Sequence, residues 1–179
     1  MRNTLSEEEM DVLEDYLEIS KNYFEYGSSE TTLIASKKYK HLTEIFSVTS
    51  EPDIYNNLIN TITTSNVKLL YIDINGGKLG IPQDGSKKSD WPNYPDAINL
   101  TDTMWDLVLL NGRFRVAAAA RVYEKLSTDG ILLVHDFNRA SYAPISILYK
   151  KIKMTKTLAV FQKKSIGDDL YNKYKFNYE

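Results

Sequence analysis

The segment "LLNGRFRVAAAARVYEKLSTDGILLVHDF", Leu109 to Phe137, decides the fold. It starts at the end of the apolar run "WDLVLL", turns at Asn111-Gly112 and enters the alanine-rich stretch "VAAAARVYEKL". "TDG" then stops that helix, and a second apolar run, "ILLVHDF", follows. Two short apolar runs joined by a helix-length stretch read as a strand–helix–strand crossover, with parallel strands covered on both faces. Four consecutive alanines suit a helix packed close on a sheet.

The same alternation extends outward. "YFEYG" reads as a strand, "TTLIASKKY" as a helix and "HLTEIFSVTS" as a strand. Ser50 and Asp53 bracket the start of a helix through "IYNNLINTI", with Pro52 tolerated in its first turn. "VKLLYIDI" is nearly continuous in apolar residues, as expected of a strand with both faces covered. At the N-terminal side, Ser6 and Glu9 have capping-box spacing, and Glu7–Glu9 read as a solvated first turn favoured by the helix dipole. Beyond Phe137, "SYAPISILYKK" reads as helical and "IKMTKTLAVFQKK" as two strands around a polar hairpin turn. The pattern predicts an α/β, Rossmann-like three-layer αβα sandwich with a mainly parallel sheet and an antiparallel C-terminal hairpin. One domain over residues 1–179 is expected, with a polar tail from about 165 left unassigned.

Composition limits the function. A net charge of −2 argues against non-specific nucleic-acid binding. The chain has no cysteine, which removes disulfides and thiolate metal sites. The acidic N-terminal segment does not read as a signal peptide, and no apolar run reaches the ~18 residues of a membrane span. A cytoplasmic protein, with no membrane partner, is expected.

In an open parallel sheet, ligands bind beyond the carboxyl ends of the strands, near the point where strand order reverses. That rule nominates residues 25–30, 47–51, 73–82, 111–115 and 135–139, with the Gly- and Pro-rich loop 75–93 as a cover. Arg113 and Arg115 follow a buried strand and should point to one side, with Phe114 inward. Their planar donor forks suit a carboxylate or phosphate, or a structural bridge to Asp136 or Glu25. His135 and Asp136 emerge at a strand end, where either can serve as a general base. Asp73 ends "LLYID", either facing the cleft or capping its loop. Glu51 reads as a first-turn acid of the following helix.

These residues resemble a little-characterised family of class I, S-adenosylmethionine-dependent methyltransferase-like proteins. Members carry Asp-Gly-Arg-Phe-Arg after one strand and His-Asp after the next, here Asn111-Gly112-Arg113-Phe114-Arg115 and His135-Asp136. "FEYGSSETTLIA" is similar to the family's glycine turn, "SVTSEPDIY" to its second strand end, and "IDINGGKLGIP" with "NYPDAI" to its long third loop. The match spans roughly residues 7–163.

The resemblance implies S-adenosylmethionine as cofactor, bound around Glu25, Gly27, Ser28, Ser29, Thr49, Asp73 and Asn111. Glu25 would orient its methionine end, and backbone amides at Gly27 would face it. The acceptor implied is a small polar or anionic molecule, with Arg113, Arg115, His135 and Asp136 at the reaction. Ser29, Thr49 and Asn111 stand where the family has glycine, a carboxylate and aspartate. They keep open a binding module without transfer activity, or different chemistry on S-adenosylmethionine or a nucleotide. Metal-dependent relatives place carboxylates after the fourth and fifth strands; with Asn111 at the first of these, no metal is assigned.

Overall fold

The computed structural model describes residues 5–77, 80–165, 173, 174 and 176–178. Helices α1 (Glu7–Ile19), α2 (Glu30–Lys38), α3 (Pro52–Thr61), α4 (Asn93–Asp96), α5 (Arg115–Lys125) and α6 (Ile145–Leu148) surround a seven-stranded sheet. Its strands are β1 (Asn22–Tyr26), β2 (Glu44–Thr49), β3 (Val67–Tyr71), β4 (Trp105–Leu110), β5 (Leu126–Val134), β6 (Tyr149–Met154) and β7 (Ala159–Lys163), in the order β3-β2-β1-β4-β5-β7-β6. The first five run parallel, while β7 pairs antiparallel with both β5 and β6. This is the expected sandwich with its C-terminal hairpin.

Period-2 alternation separates two cores. Phe24, Tyr26, Val108 and Leu110 pack on one face with the alanines of α5, all fully buried. Tyr23, Ile45, Leu107 and Leu109 pack on the other with Leu13 and Leu17 of α1. No helix among the described residues is long and apolar enough to cross a membrane.

Several local expectations need correction. β3 lies at the sheet edge and is only half-buried, because among the described strands it pairs with β2 alone. Residues "TDG" do not stop α5. Its cap is Leu126, which already starts β5, and 127–130 are absorbed in a register irregularity against β4. α3 starts at Pro52, between Ser50 and Asp53 as expected, but its N-cap is Glu51 and no side chain caps it. "SYAPISILYKK" holds a 3₁₀ turn at Ala140–Tyr142 and the single turn α6 before Tyr149 enters β6.

The capping box at Ser6 and Glu9 is present, but Glu9 is not solvated. Its carboxylate is buried and accepts bonds from Ser6 N–H (2.9 Å), from Thr157 N–H and Thr155 hydroxyl (both 3.2 Å) and from the Thr157 hydroxyl. Glu9 thereby ties α1 to the β6–β7 hairpin. Its carboxyl is held down at about 2, the hydrogen bonds from Thr157 and Ser6 outweighing the opposing effect of burial. Within the expected polar tail, Asn177 carbonyl accepts the N–H of Ala117 (3.0 Å) in the first turn of α5, and Tyr178 packs edge-on against Phe114.

Candidate functional site

The floor of the site is made by two glycines. β1 and β4 are neighbours at the point where strand order reverses, and the turns after them touch backbone to backbone. A Cβ on Gly27, at φ +90°, would lie 2.5 Å from the Gly112 nitrogen. One on Gly112 would lie 2.1 Å from the hydroxyl of Tyr94, carried by α4. Only glycine allows this approach. The amides here do not face a ligand as expected: Gly27 and Ser28 N–H both donate to Val48 carbonyl, at 2.7 and 3.2 Å. Above the floor opens a cavity of about 200 Å³, bordered by the ends of β1, β2, β4 and β5.

Nine of the anticipated residues border this cavity: Gly27, Ser28, Ser29 and Thr49; Asn111, Arg113 and Arg115; His135 and Asp136. Glu25 and Asp73 do not. β1 alternation turns Glu25 away from the cavity and under the start of α2, where it is fully buried. There it accepts from Thr32 (2.8 Å), Ser29 (3.3 Å) and Thr31 hydroxyls. Burial pushes its carboxyl up to about 7, against those bonds. Ser29 also caps α2, accepting from Thr31 N–H at 3.3 Å. Asp73 is exposed outside the cavity, taking Asn75 N–H (2.9 Å) and Lys87 Nζ (2.6 Å), the loop-capping alternative. Thr49 turns its hydroxyl to Glu51 N–H, at 3.1 Å.

The two arginines have opposite situations. Phe114 packs inward in a left-handed conformation (φ 51°), so the chain reverses between them and they do not act on one side. Arg115 is 3 % exposed, and each of its three nitrogens is hydrogen-bonded. Its Nε donates to Gly112 carbonyl (3.0 Å), Nη2 to Asn111 carbonyl (3.0 Å), and Nη1 to His135 carbonyl and Asp136 Oδ2 (3.3 Å). It also stacks on Tyr142, 5.0 Å from the ring centroid. Arg115 therefore fastens the end of β4 to the end of β5. Asp136, at φ 56°, also pairs with Arg139 (2.8 Å).

Arg113 makes no ion pair among the described residues, and its buried Nε–H has no hydrogen-bond partner. The Glu51 carboxylate borders the same cavity and is likewise without a hydrogen bond among the described residues. Burial raises its carboxyl, and Arg113 pulls the other way. The loop after β3 reaches both: a Cβ on Gly80 would lie 3.5 Å from Glu51 Cγ and 3.8 Å from Arg113 Cγ.

His135 is nearly buried, with Nδ1 2.9 Å from Asn111 Oδ1. An amide oxygen only accepts, so Nδ1 carries the proton and Nε2 the lone pair. Nε2 lies 3.8 Å from Glu9 and 3.9 Å from Asp136, both beyond hydrogen-bond length. Burial lowers the His135 pKa, opposed by Asp136 and Glu9, so the ring is neutral at pH 7.

Ser50, Gly112 and Arg139 border the cavity within segments nominated only as ranges, Ile54 and Tyr94 lie outside every nominated segment, and Glu51, expected in a helical role, borders it too. Gly112 had a legible signal, being a glycine directly after a buried strand. Tyr94 arrives from a distant loop, and its one signal was the resemblance of "NYPDAI" to the family's third loop.

No protein-family model matches the chain, and no curated protein does either. Among solved structures, a methyltransferase-like protein from Silicibacter pomeroyi matches with TM-score 0.83 and 23% identity, over 99% of this chain and 98% of that one. The N-methyltransferase NodS from Bradyrhizobium japonicum, in complex with S-adenosyl-L-homocysteine, matches with TM-score 0.57 and 13% identity, over 89% and 88%. Precorrin 8w decarboxylase from Methanobacterium thermoautotrophicum matches with TM-score 0.59 and 11% identity, over 92% and 93%. The fold is that of the class I methyltransferases.

Proposed function

We propose that the chain is an enzyme transferring a methyl group from S-adenosylmethionine to a small polar or anionic acceptor. The observation that carries this reading is the cavity's position, at the strand reversal on the Gly27–Gly112 floor of a methyltransferase fold. A neighbour of that fold holds S-adenosyl-L-homocysteine. The residues present fit such a cofactor: Ser28, Ser29 and Asn111 border the cavity with polar side chains, and Arg113 offers a buried donor with no acceptor among the described residues. Gly27, Ser28, Ser29 and Asn111 would hold it. When bound, S-adenosylmethionine supplies an electrophilic methyl group on a sulfonium.

The chain's own work is positioning and proton removal. His135 is the base, because it is neutral, borders the cavity and has a free lone pair at Nε2. Asp136 is occupied by Arg115 and Arg139 and holds the end of β5 in place. Fixed geometry between acceptor and methyl donor supplies most of the acceleration. Radiolabelled methyl transfer to a panel of small acceptors tests this. Transfer is expected to fall at least about 100-fold in His135→Gln. Its acid limb in the wild type should lie below the ordinary histidine range.

A second reading, a binding module without transfer, is favoured by Thr49, whose hydroxyl is committed to Glu51 N–H. It predicts S-adenosylhomocysteine binding with no methylation of any acceptor in the panel.

A further inference from the structure

Among the described arginines, Arg115, Arg121 and Arg139 have carboxylate partners, and Arg113 does not. Leaving a buried guanidinium N–H unmet is costly, and with no acceptor among the described residues it is open to one from a ligand. Glu51 faces the same cavity as an unmet carboxylate, with the helix start behind it making no cap bond. The two lie too far apart for an ion pair, yet both stems approach Gly80. Both charges border a space of about 200 Å³, room enough for an amino-acid-sized group.

We infer that Arg113 and Glu51 form a receptor for a small zwitterion, with Arg113 taking its carboxylate and Glu51 its ammonium. This rests on the cavity being the ligand site. The zwitterion has two sources, the amino-acid end of the cofactor or an amino-acid acceptor. Arg113's fork pairs two-point with a carboxylate, whereas Arg115, filled by three carbonyls and Asp136, is excluded.

Calorimetry on the full chain decides the matter, with S-adenosylhomocysteine, 5′-methylthioadenosine (the same nucleoside without the amino-acid end) and free L-methionine, L-glutamate and glycine as probes. If the cofactor is the source, Arg113→Gln and Glu51→Gln each weaken S-adenosylhomocysteine about tenfold or more, and leave methylthioadenosine within about twofold. Arg113→Lys recovers part of the loss. If the acceptor is the source, both nucleosides bind as before, and the variants lose amino-acid binding to the S-adenosylhomocysteine-saturated protein. Melting temperatures should stay at the wild-type value, since neither side chain holds the fold.

Unchanged binding of every probe in both variants overturns the inference. A loss confined to Arg113→Gln also overturns it, in favour of a simple anion. If the wild type binds neither nucleoside, the cofactor reading fails and the amino acids alone decide. Binding lost in both variants then supports the zwitterion receptor, and no amino-acid binding overturns it.

Discussion

The two halves of the cavity rim differ in how far their charges are already satisfied. On the β4–β5 side, Arg115, Asp136 and Arg139 form a linked set, and Arg115 also donates to three backbone carbonyls. On the side reaching toward β2, Arg113 and Glu51 face the cavity without hydrogen bonds among the described residues. Arg113 and Arg115 are two positions apart and chemically identical. What separates them is what their neighbours already supply: one is structural because all three of its nitrogens are bonded, the other is available because its Nε–H is not.

The largest effect expected from breaking this contrast is at Arg115. Arg115→Gln leaves Asp136 and three carbonyls short of a donor and should cost about 3–5 kcal/mol, read by urea denaturation. An equally stable variant would mean that the β4–β5 clamp is not structural. Glu9→Gln comes next, at about 3 kcal/mol at neutral pH, from a carboxyl moved from 4.5 to about 2.

The sign follows from the depressed folded value. The contribution is complete above pH 4.5 and lost as pH falls toward 2, so the variant and the wild type should converge there. Glu25 works in the opposite sense. Its folded value near 7 exceeds the ordinary 4.5, so the folded chain holds a proton that the unfolded chain releases. Stability from this group declines as pH rises from 4.5 to 7, and Glu25→Gln should flatten that decline. Smallest of all is Arg113→Gln, within about 0.5 kcal/mol of wild type. A loss comparable to that at Arg115 would erase the distinction between the two halves.

Much of the architecture was legible because it rests on local pattern. Alternating apolar runs and amphipathic stretches gave the parallel sheet, and Ser6 with Glu9 gave the first helix start. Strand position was not legible. "VKLLYIDI" is apolar enough for a central strand, but its place at the edge is set by the order in which strands pair.

The site was legible as a set of strand ends, which topology alone brings together. The direction of each side chain was not. Glu25 turns away from the cavity by the parity of β1, a signal visible beforehand in Tyr23 and Glu25 sharing one face and in the hydroxyl-rich "SSETT" that follows. Glu9 meets Thr157 across 148 positions, a pairing without any local trace. The left-handed turn at Phe114, which parts the two arginines, is a property of the folded turn and not of the letters "GRFR".

The central claim is that this cavity binds the cofactor of the methyltransferase fold, and calorimetric titration of the wild-type chain with S-adenosylhomocysteine tests it most directly. Saturable one-to-one binding in the micromolar range, about −8 kcal/mol, is the predicted result. No heat of binding at millimolar ligand would contradict it.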